Sequence, residues 1–306
     1  MKRISGGGRP ALLLLAVLLV MVLATGRADA AAVPKRVISL APSLTEMVFA
    51  LGAGDRLVGV TTYCNYPPAA KRVAKVGGLA DGSLDLERVM ALKPDLVLAI
   101  GDGQRRSIDA FRRLGLRVEI VHSETFDDVF TALTQLGSLL GREAAAKGLT
   151  AELSRRVERV HRAVAALPPA ARPRVFYEVW DRPLMTANRD TLIGRLIDLA
   201  GGVNVFADIA SHYPQVSPEA VVERRPELIV APDHHASVVD ARTLARQPGL
   251  ASLPAIRNGR ILVLDGDLVS RPGPRVADAL ELLAHTLHPD LIPVPLVAGT
   301  RKAPAP

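Results

Sequence analysis

The longest regular hydrophobic pattern of the chain runs from residue 142 to residue 167. Apolar side chains recur there at spacings of four, four, three, four and three, at Leu149, Leu153, Val157, Val160, Val164 and Leu167. This spacing predicts one α-helix with a single apolar face. At about 1.5 Å per residue the helix is roughly 35–40 Å long, which is sufficient to contact two lobes. The prolines at positions 168, 169 and 173 end it.

The segments on either side of this helix repeat one pattern at a constant distance. Residues 86–89 and 94–99 correspond to residues 218–221 and 226–231, and every pair lies 132 positions apart. Each copy predicts a short helix, a proline that ends it and a buried strand. A constant offset favours an internal repeat over chance recurrence of the same elements. We therefore expect two similarly built lobes joined by the long helix.

The remaining segments alternate between strand-like and helix-like patterns. This alternation predicts an α/β fold of two Rossmann-like lobes, each with a mainly parallel sheet covered by helices. The predicted boundaries are an N-terminal lobe at 34–141, a linker helix at 142–167 and a C-terminal lobe at 173–288. From Pro289 onward no period survives, so a disordered tail is expected over 289–306.

The start of the first predicted helix carries a capping signal. Ser43 precedes the apolar pattern of residues 44–51, and Glu46 follows three positions later. This is the spacing of a capping box, in which the two side chains satisfy free backbone N–H groups of the first turn. We therefore expect a structural role for Ser43 and Glu46.

The first 30 residues have the pattern of an export signal. Three basic residues precede an apolar run over residues 11–23, and residues 28–30 form a small-x-small cleavage pattern. The apolar run is shorter than the roughly 20 residues that a membrane anchor needs. The only cysteine, Cys64, lies far downstream of the cleavage pattern, so no lipid anchor is expected. We expect a soluble periplasmic protein, cleaved near Ala30.

Composition narrows the possible classes of protein. A single cysteine cannot form an intramolecular disulfide, so the fold must depend on its hydrophobic core. The formal net charge of +7 falls to about +4 once the signal is removed, because the signal is itself basic. The basic residues alternate with acidic ones and lack clustered aromatics, so no nucleic-acid surface is expected.

Aromatic side chains are few, and their positions indicate a ligand site. All four tyrosines and the only tryptophan fall at predicted strand ends or in loops, at Tyr63, Tyr66, Tyr177, Trp180 and Tyr213. In open α/β sheets ligands bind beyond the carboxyl ends of the strands, where both lobes can contribute side chains. We select Tyr66, Trp180 and Tyr213 as ligand contacts. Packing on the lobe surface is the simpler interpretation of Tyr63 and Tyr177.

Catalytic and metal-binding patterns are weak. The sequence has no G-x-S-x-G, no G-x-x-x-x-G-K-[ST] and no H-E-x-x-H motif. His234 and His235 are adjacent, so their side chains point in different directions, and His122 has no visible partner. Ser43 and Cys64 are the candidate nucleophiles of a cleft hydrolase, and neither has an obvious base. We expect no enzymatic activity, no metal site and no cofactor other than a bound ligand.

Four segments of the sequence together resemble one protein family. They are residues 36–46, Tyr66-Pro67-Pro68, residues 86–88 with 92–97, and Pro214-Gln215-Val216-Ser217. They resemble the periplasmic binding proteins of ABC importers that take up cobalamin and ferric siderophores, and the resemblance covers about residues 34–288. It implies a ligand held between two lobes that barely move, and delivery to a permease dimer in the inner membrane.

The resemblance also implies roles for particular residues. Glu87 and Glu219 would dock into arginine pockets of the two permease subunits, which suits a protein that presents one carboxylate per lobe to a twofold partner. The simpler interpretation of both is a first-turn carboxylate that stabilises a helix N-terminus. Positions that surround the corrin ring in cobalamin-binding members of the family correspond to Tyr66, Tyr213, Asp267 and Arg271.

The resemblance therefore implies a binding protein that captures a corrinoid, and we expect it to be a monomer. The alternative ligand is a ferric siderophore or haem, bound through Tyr66, Tyr213, His212 or His234. A cleft hydrolase that uses Ser43 or Cys64 is the remaining alternative from a different class.

Overall fold

The computed structural model describes residues 32–78, 84–101, 104–233, 249–294 and 300–302. The predicted signal at residues 1–30 lies outside these ranges, as do His234 and His235. Within the described ranges, no helix is both long and apolar enough to cross a membrane.

The N-terminal lobe (N-lobe) is built on four parallel strands in the order β2-β1-β3-β4. The strands are β1 (Val37–Ser39), β2 (Leu57–Val60), β3 (Leu96–Ala99) and β4 (Val118–Ile120). The helices are α1 (Pro42–Ala50), α2 (Leu86–Ala91), α3 (Arg105–Arg113) and α4 (Asp128–Leu139), with 3-10 turns at Gly54–Arg56 and Pro68–Arg72. All residues of β1 and β3 are buried, as expected for central strands covered on both faces.

The predicted long helix is present as α5 (Glu143–Ala165) and lies inside the range of the hydrophobic pattern. Its buried residues are Ala146, Leu153, Val160 and Val164, on the predicted apolar face. The helix packs against α4 of the N-lobe and against helices of the following lobe. One hydrophobic cluster therefore continues from Leu133 through Leu153 to Leu280, so the two lobes share a core.

The C-terminal lobe (C-lobe) is built on a second sheet in the order β11-β10-β9-β5-β8. Its strands are β5 (Arg174–Tyr177), β8 (Val203–Asn204), β9 (Leu228–Asp233), β10 (Ile261–Asp265) and β11 (Thr300–Lys302), and a separate hairpin is formed by β6 (Trp180–Asp181) and β7 (Leu184–Met185). Its helices are α6 (Leu192–Leu199), α7 (Pro218–Glu223), α8 (Pro254–Arg257), α9 (Gly266–Val269) and α10 (Val276–Leu287), with 3-10 turns at Pro169–Ala171 and Leu250–Ser252. All pairs in the five-stranded sheet are parallel except β10–β11. The predicted fold class is thus confirmed.

The long helix is fixed to the C-lobe by charged side chains. Arg156 of α5 contacts Asp278 at 2.5 Å and Glu281 at 2.7 Å, both on α10. Arg159, one turn further along α5, reaches Glu281 at 2.6 Å. A guanidinium shared between two carboxylates restricts both helices in orientation as well as in distance.

The internal repeat extends to the hydrogen bonds at the start of each lobe. In the N-lobe the Asp95 carboxylate accepts from the backbone N–H of Lys35 at 2.8 Å and of Arg36 at 2.9 Å. In the C-lobe Glu227, 132 positions after Asp95, accepts from the N–H of Arg174 at 2.9 Å. The same side-chain contact therefore anchors the first strand of each lobe.

The two helix-proline-strand units are alike in backbone as well. Asp85 caps α2 by accepting from the third helical N–H, and Ser217 caps α7 in the same way. Both helices are followed by a residue with φ of +47°, Lys93 in the first unit and Arg225 in the second. Positive φ at this place is the common left-handed helix ending, where glycine is favoured.

Two expectations from the sequence are wrong. Pro42 begins α1, so Ser43 lies inside the helix and the structure shows no side-chain cap at its start. The expected disordered tail is also wrong for its described residues, because Ile292 is buried and β11 pairs antiparallel with β10. Backbone pairing to an open strand edge needs no hydrophobic period, so the sequence pattern did not indicate it.

Substituting glycine at the two positive-φ positions should stabilise the protein. Lys93→Gly and Arg225→Gly each remove the steric cost of a left-handed side chain, and both side chains are exposed, so we expect about 0.5–1 kcal/mol per site. Lys147→Gly, at an exposed position inside α5, is the control and should destabilise by about 1 kcal/mol. Urea unfolding measures all three, and a loss of stability at both tested sites would contradict the assigned helix endings.

Candidate functional site

The loop after β2 carries Tyr66, and polar contacts hold the start of this loop at Cys64. The Lys75 ammonium donates to the carbonyl of Cys64 at 2.7 Å. The buried Cys64 thiol lies 3.2 Å from the Thr45 hydroxyl and 3.1 Å from that of Thr61. These contacts fix the base of the loop, so Tyr66 projects outward and remains 42% exposed.

A segment of the C-lobe, residues 265–275, reaches across to the N-lobe. The Asp265 carboxylate accepts from the N–H of Asp267 and starts the short helix α9. The Pro272 carbonyl then accepts from the Ser123 hydroxyl of the N-lobe at 2.6 Å. Gly273 lies beside Glu46, and a Cβ added there would be in ordinary contact with the carboxylate, 3.5 Å from its Oε2.

Glu46 is the centre of the contact between the lobes. Its side chain lies on α1 and is only 2% exposed. Arg275 binds it with both nitrogens of one edge, Nε to Oε2 and Nη2 to Oε1, each at 2.8 Å. Arg271 adds a third contact, Nη1 to Oε1 at 3.2 Å. Burial lowers the pKa of Arg275, but the hydrogen bonds to Glu46 and the negative charges of Glu46 and Asp265 together outweigh it, and the pKa is raised.

Asp267 and Arg271, both predicted to bind ligand, contact the N-lobe and each other. Arg271 pairs with Asp267 at 2.6 Å. Asn65 bridges the two, because its amide donates to Asp267 at 2.6 Å and accepts from Arg271 at 2.7 Å. The carbonyl of Tyr63 accepts a further hydrogen bond from Arg271 at 3.1 Å. We call this network of Glu46, Asn65, Asp267, Arg271 and Arg275 the interlobe clamp.

The ring of Tyr66 lies against the interlobe clamp. The Arg275 guanidinium carbon is 4.1 Å from the ring centroid, which is a cation–π contact. The structure thus brings together three of the predicted ligand residues, Tyr66, Asp267 and Arg271, at one edge of the space between the lobes.

Tyr213 lines a neighbouring cavity of about 210 Å³. The cavity lies beyond the carboxyl ends of β5 and β9 and is lined by Glu124, Tyr177, Val179, Leu192, Ile193, Tyr213, Pro232 and Ser270. Burial raises the pKa of the Tyr177 hydroxyl. Burial, together with the nearby Glu124 carboxylate, also raises the pKa of Tyr213. Both phenols therefore keep their protons at neutral pH.

Trp180 and the histidine candidates do not line this cavity. Trp180 lies on the β6–β7 hairpin, is 53% exposed and donates its indole N–H to the carbonyl of Arg182 at 2.9 Å. His212 is exposed on the loop before Tyr213. His234 lies outside the described residues.

A larger crevice of about 670 Å³ lies on another side of the interface, and none of the predicted ligand residues lines it. Residues 125–127 of the N-lobe face residues of the C-lobe there, including Arg172, Arg189, Arg195, Asp190 and Asp198. The charges balance, because Asp127 is the third aspartate beside three arginines. The crevice therefore does not select an ion of either sign.

The candidate nucleophiles of a hydrolase are not accessible. Ser43 is buried inside α1, and Cys64 is buried between two threonine hydroxyls. In the part of the chain that the structure describes, no three His, Cys, Asp or Glu side chains group as a metal site.

Glu87 and Glu219 occupy equivalent places on the two lobes. Each is the second residue of its helix, α2 or α7, and each is exposed. The backbone N–H at the helix start and the Ser217 hydroxyl lower the pKa of Glu219, which keeps this carboxylate charged. Neither glutamate belongs to the interlobe clamp or lines the cavity at Tyr213.

Sequence reasoning missed Glu46, Asn65 and Arg275. One signal was available, since Glu46 stands between Leu44, Met47 and Val48 in an apolar pattern, where a carboxylate needs a partner. A second signal was the pair of arginines that flank Pro272-Gly273-Pro274. Which carboxylate they bind was not readable from local spacing.

Comparisons with known proteins agree on one family. Residues 37–268 match the model of the periplasmic binding protein family. The chain is 34% identical over 260 residues to a vitamin B12-binding protein of Pectobacterium carotovorum, a match that covers 84% of this chain and 89% of that protein.

Solved structures with the same fold bind different ligands. The periplasmic vitamin B12 binding protein of Vibrio cholerae superposes with a TM-score of 0.71 at 30% identity, over 83% of this chain and 97% of that one. A periplasmic heme-binding protein of Pseudomonas aeruginosa gives 0.75 at 29% identity, over 89% and 100%. The likeness therefore does not select between a corrinoid and a haem.

Glu178, the residue after β5, is a buried carboxyl beside the cavity wall. It is almost fully buried, and its Oε2 has no hydrogen-bond partner among the described residues. Burial, and then the negative charge of Asp181, raise the pKa of Glu178 to about 7. Because this value lies above that of an unfolded chain, the contribution to stability is complete below pH 4.5 and is lost as the pH rises through 7.

Glu178→Gln should remove this pH dependence. Between pH 5 and pH 8 the wild type should lose about 2 kcal/mol of unfolding free energy through Glu178, and the variant should not. Glu152→Gln, on the exposed face of α5, is the control and should keep the wild-type slope. Urea unfolding at both pH values measures the difference, and equal slopes in all three proteins would contradict a neutral Glu178.

Proposed function

The chain belongs to the periplasmic binding protein family, and from this premise we propose that it captures a corrinoid between its lobes and delivers it to an ABC importer. Capture without catalysis fits a family of binding proteins and a chain whose two candidate nucleophiles are buried. A periplasmic location is supported by the export pattern of residues 1–30 and by the relatives named above.

The observation that carries the choice of ligand is that the arginines of the interlobe clamp already bind carboxylates. Arg275 is paired with Glu46, and Arg271 with both Glu46 and Asp267. With Glu124 in the adjacent cavity and Asp265 close enough to act on Arg275, carboxylates outnumber the two guanidinium groups in this part of the cleft. Haem carries two propionates and many ferric siderophores are anionic, so either would compete with these internal pairs and meet excess negative charge. The amide-bearing edge of a corrinoid meets no such opposition.

The side chains that remain available also suit a corrinoid. The exposed ring of Tyr66 offers an aromatic surface to a flat macrocycle. The Tyr213 hydroxyl, which lines the cavity, can donate to an amide carbonyl. The Asp267 carboxylate can accept at the edge in addition to its contacts with Asn65 and Arg271. Ligation of iron by tyrosine requires the deprotonated phenol, which burial and the Glu124 carboxylate oppose at Tyr213.

The size of the cavity at Tyr213 supports a ligand position outside it. At about 210 Å³ the cavity at Tyr213 is smaller than the roughly 300–1,000 Å³ of typical ligand pockets. A macrocycle therefore lies across the mouth of the cleft, over Tyr66 and the cavity. Trp180, on its exposed hairpin, is a rim contact in this arrangement.

Isothermal titration of the ligand-free protein tests the proposal. Cyanocobalamin and cobinamide should bind, whereas haemin and a ferric siderophore panel should bind more weakly or give no heat. Cobinamide lacks the lower nucleotide, so its affinity separates recognition of the corrin ring from recognition of the nucleotide. Binding of an iron complex without binding of either corrinoid would overturn the proposal.

Single substitutions locate the ligand in the same titrations. Tyr66→Ala and Tyr213→Ala should each weaken cyanocobalamin binding by about 1–3 kcal/mol, because each removes a central aromatic contact. Trp180→Ala should have a smaller effect, as expected for a rim residue. Circular dichroism checks that the fold is unchanged, and wild-type affinity in both tyrosine variants would place the ligand elsewhere.

We propose further that Glu87 and Glu219 dock the protein on the permease dimer. The repeat gives both carboxylates the same place on similarly capped helices, and neither forms an ion pair with any residue that the structure describes. Each is thus available to an arginine of one permease subunit. Around Glu87 the exposed side chains of Leu86 and Met90 add apolar surface, which is common in protein interfaces.

Docking should depend on these glutamates and ligand binding should not. In Glu87→Ala and Glu219→Ala each lost charge-assisted contact should cost about 1.5–3 kcal/mol of affinity for the permease in nanodiscs, with more in the double variant. Salt should weaken wild-type docking more than that of the double variant. Glu223→Ala, an exposed glutamate on the same helix α7, is the matched control. Reduced affinity for cyanocobalamin with docking intact would show that these residues belong to the cleft.

A further inference from the structure

The ring of Tyr66 packs against the guanidinium of Arg275. It extends from a loop, it is partly exposed, and its hydroxyl has no hydrogen bond to any residue the structure describes. The Arg275 guanidinium, stacked 4.1 Å from the ring centroid, covers one face. We propose that Arg275, held by Glu46, is a positioning residue that fixes the Tyr66 ring and leaves only the opposite face to the ligand.

Arg275 is itself rigid enough for this role. Its side chain is mostly buried, and three of its hydrogen bonds have fixed directions, two to the Glu46 carboxylate at 2.8 Å and one to the Asp267 carbonyl at 3.3 Å. A planar guanidinium can bind a carboxylate along one edge while its face lies on an aromatic ring, and an ammonium cannot do both. The identity of residue 275 therefore matters beyond its charge.

The arrangement makes the ligand surface depend on both lobes. Glu46 and Tyr66 belong to the N-lobe, whereas Arg275 belongs to the segment 265–275 of the C-lobe. Any movement of that segment away from α1 withdraws the guanidinium from the ring. Lobe position and the orientation of the Tyr66 ring are thus coupled through one side chain.

A double-mutant cycle with cyanocobalamin measures this coupling. Arg275→Lys should weaken binding about 5- to 10-fold, and Tyr66→Ala about 10- to 100-fold. The double variant should bind within about 2-fold of Tyr66→Ala alone. Once the Tyr66 ring is absent, replacing Arg275 can no longer change the orientation of that ring. Multiplicative effects in the double variant would mean that Arg275 acts only on the fold, and would overturn the inference.

The claim that one face of the ring is left to the ligand rests on the proposed function. A measurement without ligand tests the positioning of the ring separately. In protein labelled with 3-fluorotyrosine, the ¹⁹F signal of Tyr66, assigned with Tyr66→Phe, should move in Arg275→Lys and in Glu46→Gln. It should stay in place in Arg156→Lys, which weakens a comparable pair between α5 and α10 away from this loop. An unmoved Tyr66 signal in both clamp variants refutes positioning. A moved signal in a protein that binds no corrinoid refutes only the choice of ligand.

Discussion

A carboxylate buried between the lobes determines how this protein is assembled. Glu46 lies on the inner face of α1, where an uncompensated charge would be strongly unfavourable, and both guanidinium groups that compensate it come from the C-lobe. Removing one partner of such a buried pair typically costs about 3–5 kcal/mol. The N-lobe alone is therefore electrostatically incomplete. The shared core along α5 adds an apolar connection, so two sheets that are separate in topology behave as parts of one structure.

Much of the fold could be predicted from the sequence, because the patterns that indicate it lie within short segments. The apolar stripe of α5 needs only spacing within one segment, and the repeat needs only comparison of two segments at one offset. The structure adds that the repeat includes Asp95 with Glu227 and the left-handed residues Lys93 and Arg225. The capping box failed for a local reason too, because Pro42 starts α1 one residue before Ser43 and places the serine inside the helix.

The site was readable only in part, because its geometry depends on contacts between distant residues. Tyr66 and Tyr213 lie in loops as expected, since chain order alone puts Tyr66 after β2, whereas Tyr177 ends β5 and Trp180 lies in the β6–β7 hairpin. The N-lobe partners of Asp267 and Arg271 could not be predicted, because Arg271 and Glu46 lie 225 positions apart and no periodicity spans that distance. Two of the residues assigned to the ligand, Asp267 and Arg271, contact the other lobe, and the electrostatic character of the cleft follows from that pairing.

The segment 265–275 follows β10 of the C-lobe as residues 121–127 follow β4 of the N-lobe. The two segments differ in charge, because 265–275 supplies both guanidinium groups that bind Glu46, whereas 121–127 contains no arginine or lysine. Lobes of this fold are consequently not interchangeable modules. A chimera that combines an N-lobe carrying Glu46 with a C-lobe lacking the two arginines would bury an unpaired carboxylate. A chimera with the two arginines but without Glu46 would leave two guanidinium groups without this partner. If the two lobes descend from a duplicated ancestor, most of their residues could diverge independently. Glu46 and the two arginines that bind it could change only together.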